Sequence, residues 1–326
     1  MRSIAPESAW PSVSVIMPCF NAEHFIADAL NSILAQQYPG PLEIVVVDDG
    51  STDKSVQLAS AFERVTVIRQ ENKGPAAARN LALENTSGDV LAFLDADDLW
   101  TPGSLQSRVE HLIKDPEVGV VFGDFSYWTP VATTKEAASE VRCQLPDSVL
   151  SATREGWVYP EILLDPIVHI IATIVRRSVV DAIGGFDKSL RTGEDYDFFI
   201  RAARHCRFSH VESVVARYRL HPSSITRVPQ PVSNEYTVVS RAIARYGNTN
   251  PAGRQLAVSQ LKLRMHKMCF DHALQHLRHG DPRIAASGFR TAIKHHPWRL
   301  KPWLFAAAAS LKSALSRLPS LPARRP

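Results

Sequence analysis

The sequence predicts an α/β fold: a mostly parallel sheet flanked by helices, with a C-terminal helical extension. Two features predict it. Short apolar runs alternate with helix-periodic segments through the first half of the chain, the order that builds a parallel sheet with right-handed crossovers. Beyond residue 228 helical periodicity continues without strand signals.

The first apolar run, residues 13–17, is stopped by Pro18. Asn21 is placed to cap the next helix, in which Phe25, Ile26, Ala29, Leu30, Ile33 and Leu34 recur at helical spacing. Tyr38-Pro39-Gly40-Pro41 breaks that helix, and residues 42–47 form a second strand ending in Asp48-Asp49-Gly50-Ser51. Ser51 or Thr52 can cap a helix reaching Phe62. A third strand is expected over 65–69, an alanine-rich helix over 74–84 and a fourth strand over 91–94.

After residue 100 the order loosens. Residues 118–122 read as a strand, 129–160 as a mobile loop and 167–175 as strand-like. Residues 177–183 read as a short helix closed by Gly184-Gly185, 194–204 as a helix, and 208–218 as containing a late strand. Helices follow over 256–277, 282–293 and 302–318, with breaks at Gly280-Asp281-Pro282 and Pro297. The pattern divides the chain into an α/β region, 1–227, and a helical tail, 228–326.

Composition narrows the function. A net charge of +4 is mild, and no interleaved basic and aromatic pattern supports nucleic-acid binding. Cys19, Cys143, Cys206 and Cys269 are widely spaced without a CxxC pair. That argues against a zinc site or disulfide framework and predicts a reducing, cytoplasmic setting. Residues 13–17 are too short for a signal peptide's apolar core, and no stretch approaches the ~20 apolar residues of a membrane-spanning helix. In the tail, Trp298, Trp303, Leu304, Phe305 and Leu311 mix with Arg299, Lys301, Lys312 and Arg317. Such a helix suits peripheral contact with the inner face of a membrane, or packing on protein.

The chemistry concentrates at strand ends. Asp95-Ala96-Asp97 follows the run Val90-Leu91-Ala92-Phe93-Leu94, and Asp48-Asp49 ends the second strand. In a parallel sheet both pairs fall on the carboxyl edge, where open α/β sheets bind ligands. Adjacent ionised carboxylates repel without a cation. Mg²⁺ is commonly held by one or two carboxylates plus substrate phosphates. The residues therefore point to a metal-assisted site for a phosphorylated substrate. Each has a plainer alternative. Asp48 to Ser51 also suits a turn with a helix cap, Asp98 a turn, Trp100 packing, and Cys19 a small buried residue. Asp195 at a helix start also complements the helix dipole, and Asp197 can pair with Arg201 at i,i+4.

Taken in order, residues 13–21, Val45-Val46-Val47-Asp48-Asp49-Gly50-Ser51-Thr52-Asp53, Asn72-Lys73-Gly74 with Ala78-Arg79-Asn80, and Phe93-Leu94-Asp95-Ala96-Asp97-Asp98 resemble family 2 glycosyltransferases of the GT-A fold. Gly184-Gly185-Phe186-Asp187, Gly193-Glu194-Asp195-Tyr196-Asp197-Phe198 and Tyr218-Arg219-Leu220-His221 extend the resemblance over roughly the first 225 residues. The resemblance implies a GT-A, Rossmann-like catalytic domain that binds a nucleotide-sugar, by default a UDP-sugar. It implies Pro18 and Phe20 beside the nucleobase, Asp49 reading the base with Asp48 next to it, and Arg79 near base or phosphate. Asp95 is then expected at the ribose, Asp97 on Mn²⁺ or Mg²⁺, His221 near metal or diphosphate, and Asp195 as the catalytic base. It further implies inversion at the anomeric carbon, a glycan or lipid-linked acceptor, and a role in polysaccharide or glycolipid synthesis without processive translocation.

Two other readings fit parts of the pattern. An apolar strand followed by D-x-D also suits haloacid-dehalogenase-like phosphatases, though there the motif sits on the first strand. A non-catalytic sugar-nucleotide-binding protein would bind without turnover. Nucleotidyltransferases typically open with a basic, glycine-rich loop, which is missing near residues 14–24.

Overall fold

The computed structural model describes residues 10–128, 141–142, 154–221 and 229–315. The chain falls into two compact units: 1–221 with 249–254, and 222–248 with 255–326. The 227/228 boundary expected from sequence lies outside the described residues.

The first unit is built on one mixed sheet in the order β3-β2-β1-β4-β8-β6-β9-β5, with β7 paired to β6. Its strands are β1 (Val13–Cys19), β2 (Leu42–Asp48), β3 (Val65–Arg69), β4 (Val90–Phe93), β5 (Leu99–Trp100), β6 (Val118–Trp128), β7 (Val141–Arg142), β8 (Thr173–Arg176) and β9 (Arg207–Arg219). Strands β1 to β4 are parallel, and β6 and β9 are parallel to each other. Strand β8 runs antiparallel to both β4 and β6 and joins the two parallel sets. The near-continuous burial of β1 and β4 explains their unbroken apolar runs, since a strand covered on both faces has no polar side to alternate with.

Helices α1 (Ile26–Leu34), α2 (Ser55–Ser60), α3 (Pro75–Glu84) and α4 (Ser104–Lys114) connect the early strands. Helices α5 (Tyr159–Leu164), α6 (Arg177–Ile183) and α7 (Glu194–His205) complete the unit. Helix α6 ends at Gly184, whose φ of 80° suits a residue without Cβ.

Three local expectations change. Asn21 does not cap α1, which starts after Phe25 with no side-chain cap. With a φ of 48°, Asn21 instead accepts from the Thr52 N–H at 2.9 Å and donates its own N–H to Ser51 Oγ at 2.9 Å, tying two loops together. Ser51 and Thr52 do not cap α2; Asp53 Oδ1 accepts from the Ser55 N–H at 2.9 Å. The strand-like run 167–175 is a 3-10 turn, Ile170–Ala172, leading into the short β8. Of the expected loop 129–160, residues 129–140 and 143–153 lie outside the described residues, and Tyr159 opens the buried helix α5.

The second unit contains α8 (Asn234–Tyr246), α9 (Val258–His279), α10 (Pro282–His295) and α11 (Leu300–Leu315). Ala273, Ala285, Ala286, Phe289 and Ala309 form its core, with Phe270 and Phe305 packed against them. Small residues let α9, α10 and α11 approach closely around Phe289. Asp281 caps α10 by accepting from the Arg283 N–H at 2.8 Å. Among the described residues no helix is long and apolar enough to cross a membrane.

Candidate active site

The two acidic pairs share one rim of the sheet. Strand β1 lies between β2 and β4, with Cys19 in register with Asp48 and Ile16 with Phe93. The Asp49 N–H donates to the Cys19 carbonyl at 2.8 Å, and the Leu94 N–H to the Ile16 carbonyl at 3.2 Å. Asp48-Asp49 and Asp95-Ala96-Asp97 therefore leave the sheet on either side of the same β1 end. Pro18 is half-buried and Phe20 exposed beside them.

Asp48 and Asp49 are both buried. Asp48 accepts from Arg69 Nε at 3.2 Å and from the Ser51 N–H at 3.3 Å. Asp49 accepts from Gln70 Nε2 at 2.6 Å and from the N–H groups of Lys73 and Gly74, each at 2.8 Å. These bonds hold the loop that feeds α3. A carboxylate offers about four acceptor positions, so Asp49 keeps one for a further donor.

Arg79, on α3, is buried, and both terminal nitrogens meet carboxylates: Nη2 to Asp95 Oδ1 and Nη1 to Glu194 Oε1, each at 2.6 Å. The first-turn acids of α7 are thereby fastened to the D-x-D segment. Burial works against its charge, but Asp95 and Glu194 more than offset this and raise its pKa further. Asp195 follows on the same first turn, with the Tyr196 N–H donating to its Oδ1 at 2.8 Å. Burial pushes the Asp195 carboxyl up, while the Arg79 charge pulls it down. Glu194 is raised by burial as well.

Strand β9 supplies the opposite wall. Its Arg219 donates its N–H to Asp98 Oδ1 at 2.7 Å and its Nε to the Asp97 carbonyl at 2.8 Å. Just past β9, His221 Nε2 lies 2.8 Å from Asp97 Oδ2. Burial and neighbouring Asp95 raise the Asp97 carboxyl; His221 opposes them. Asp98 closes the expected turn, its N–H donating to the Asp95 carbonyl at 3.1 Å, and is also a buried anchor for β9, with its Oδ2 unpartnered. Among the described residues no cluster of three or more His, Cys, Asp or Glu converges on a cation position. Asp97 and His221 do converge, and their donor chemistry fits a Mn²⁺ or Mg²⁺ that completes its shell with phosphate and water.

The loop before α7 is fixed by Asn80, whose Nδ2 donates to the Phe186 carbonyl at 2.8 Å and whose Oδ1 accepts from the Phe186 N–H at 2.7 Å. A Cβ on Gly185 would collide with that Asn80 amide, so the glycine is required by the approach. Asp197 pairs with Arg201 at 2.7 Å, as the i,i+4 spacing predicts. Trp100 is buried packing, donating Nε1 to the Ile171 carbonyl at 2.9 Å. Cys19 is buried and its thiol is pushed up to about 12, as befits an inert residue.

Sequence reasoning missed His169. Its ring lies tilted against Phe125 at 4.4 Å and meets Tyr218 edge-on at 5.5 Å, and its Nδ1 is buried without a partner. Burial lowers it to about 4. Its only sequence signal is a polar residue inside an apolar run. Arg219 and Glu194 lay within quoted motifs, but their partners are distant in sequence.

Comparison with known proteins agrees with this geometry. Residues 14–142 match the model described as Glycosyl transferase family 2. An uncharacterised glycosyltransferase of Rickettsia felis is 29% identical over 216 residues, 65% of this chain and 34% of that protein. The chain thus spans about a third of that relative's length. Succinoglycan biosynthesis protein ExoU of Rhizobium meliloti is 30% identical over 219 residues, 62% of this chain and 60% of the relative. Among solved structures, S. aureus TarS 1-349 in complex with UDP-GlcNAc superposes with a TM-score of 0.63 at 20% identity, covering 93% of this chain and 89% of that one. The mannosyltransferase PcManGT from Pyrobaculum calidifontis, in complex with GDP-Man and Mn²⁺, gives 0.57 at 21% identity, covering 97% and 91%. At such identity these structures speak for the fold alone. The phosphatase alternative has no support: the D-x-D follows the fourth strand, and the matches are to glycosyltransferases.

Proposed function

We propose that this chain, which carries a family 2 glycosyltransferase domain of the GT-A fold, moves a sugar from a nucleotide-sugar to a hydroxyl acceptor with inversion. The observation that supports the reading is the Asp95–Arg79–Glu194 chain of contacts, which ties the D-x-D segment to the helix bearing Asp195.

In this reading Pro18 and Phe20 border the base, Asp49 uses its remaining acceptor position for a base N–H, and Asp48 braces it. Asp95 meets the ribose, and Asp97 with His221 holds Mn²⁺ or Mg²⁺. A divalent ion there neutralises charge growing on the departing diphosphate. Asp195 takes the proton of the attacking hydroxyl as the bond to the anomeric carbon forms on the face opposite the leaving group. A positioned base of this kind contributes roughly 10²–10⁴-fold. A single base without a second nucleophile favours inversion. Arg79 acts mainly from beneath, positioning Asp95 and Glu194, since its charge is already shared between them.

A UDP-sugar is the default donor. The similarity to a succinoglycan biosynthesis protein, ExoU, favours a glycan acceptor in polysaccharide or glycolipid synthesis. Among the described residues Cys19, Cys206 and Cys269 are free and buried, which is consistent with a cytoplasmic setting, and peripheral membrane attachment fits a lipid-linked acceptor.

The test is a screen of nucleotide-sugars for slow hydrolysis with Mn²⁺ or Mg²⁺, with and without chelator. One donor is expected to turn over in a chelator-sensitive way. Asp195→Asn should keep donor affinity and lose transfer by roughly 10²–10⁴-fold; transfer at the unmodified rate would refute the base assignment. Donor binding without any turnover would favour the binding-protein alternative.

A further inference from the structure

Helix α11 has two apolar faces, and among the described residues only one is covered. Phe305, Ala306 and Ala309 pack on the core of the helical unit. On the other side lie Leu300, Leu304, Leu311 and Leu315, exposed at 76%, 71%, 62% and 57%. At ~100° per residue these four leucines fall within roughly 60° of arc. They point away from the buried Pro302 and Ala309. Trp298, 88% exposed, stands just before the helix, and Trp303 is exposed beside the stripe with its Nε1 donating to the Pro297 carbonyl at 3.0 Å.

Charge identifies what covers this face. After Asp281 the sequence contains nine Lys or Arg residues and no Asp or Glu. Arg299 and Lys301 flank the start of the stripe, and Lys301 and Lys312 lie along one border of it. A partner protein would need a matching apolar groove with an acidic rim. An anionic bilayer supplies both features at once: acyl chains for the leucines, headgroup phosphates for the cations, and an interfacial layer that suits tryptophan. We infer that the exposed Leu300/Leu304/Leu311/Leu315 face of α11, with Trp298 and Trp303, docks on an anionic lipid surface.

The inference shares with the transferase reading only the expectation of membrane attachment, and vesicle binding succeeds or fails whatever the donor screen shows. The full chain is floated with vesicles of phosphatidylcholine alone and of phosphatidylcholine with phosphatidylglycerol in equal parts. It should float with the anionic vesicles, lose binding as salt rises, and blue-shift its tryptophan emission on binding. Leu304→Ser with Leu311→Ser should weaken partitioning by about tenfold or more. Arg299→Glu with Lys301→Glu should weaken it similarly and remove the preference for anionic lipid. Both double variants change exposed side chains, so their melting curves should match the parent. Equal binding to both vesicle types, or to neither, overturns the inference. So does a lipid-free dimer that the leucine variant dissolves, which would assign the face to a second copy.

Discussion

Arg79 Nη1 lies 2.6 Å from Glu194 Oε1, across 115 residues of chain. The contact fastens the helix carrying Asp195 to the helix that follows the Asp49 loop. It also spends the guanidinium on protein carboxylates. Arg79→Met leaves Asp95 and Glu194 facing each other without a cation, and breaking a buried pair from one side costs about 3–5 kcal/mol. Denaturant midpoints should fall accordingly. Arg79→Lys should recover only part of the loss, because a point charge cannot replace a planar fork reaching two acids.

The Asp195 carboxyl is raised by burial and held down by Arg79. A base works in its ionised form, so activity falls as pH drops through its pKa. The acid limb of kcat/KM against pH should therefore lie above that of an ordinary aspartate. A milder change at Arg79, to Lys, should move the limb less than Arg79→Met, which removes the compensating charge and shifts it to higher pH. A limb that ignores Arg79 would dissociate the two residues.

His221 and Asp97 meet at 2.8 Å. In the proposed reading this pair would open to hold the divalent ion. His221→Ala should weaken Mn²⁺ affinity in the presence of UDP by about 10–100-fold while leaving the fold intact, the range typical for a weakened metal site. Calorimetric titration of Mn²⁺ into the UDP-loaded protein reads it directly. Unchanged affinity would remove His221 from the metal site.

His169 links stability to pH. Its folded value is about 4 against an ordinary 6.5, lowered by burial. Above 6.5 both states are neutral and it has no effect. As pH falls through the window from 6.5 to 4, the unfolded chain takes up the proton first and the folded state loses ground. Between pH 7 and pH 5 the loss should be about 2 kcal/mol. His169→Gln should flatten that part of the stability profile, measured by urea unfolding at the two pH values.

The early strands were legible because burial on both faces writes itself as an unbroken apolar run, and 65–69 and 177–183 were placed to the residue. Asn21 shows where local reading stops. An Asn before a helical pattern looks like a cap, yet its oxygen is taken by Thr52, 31 residues away. The late strand expected within 208–218 is β9, Arg207–Arg219, but its partners, β6 on one side and β5 on the other, were hidden, because pairing depends on segments distant in the chain.

The sequence by itself determined the α/β order, the acidic strand ends, the i,i+4 spacing of Asp197 and Arg201, and the acid-free stretch after Asp281, rich in Lys and Arg. All of these are set by neighbours within a few residues or by composition. Only the tertiary structure decided that Arg79 bridges Asp95 and Glu194, that Asp98 anchors β9, that His221 faces Asp97, and that one face of α11 is left uncovered. Those are contacts between segments far apart in the chain or faces defined by packing, and no local propensity encodes which distant partner satisfies a buried charge.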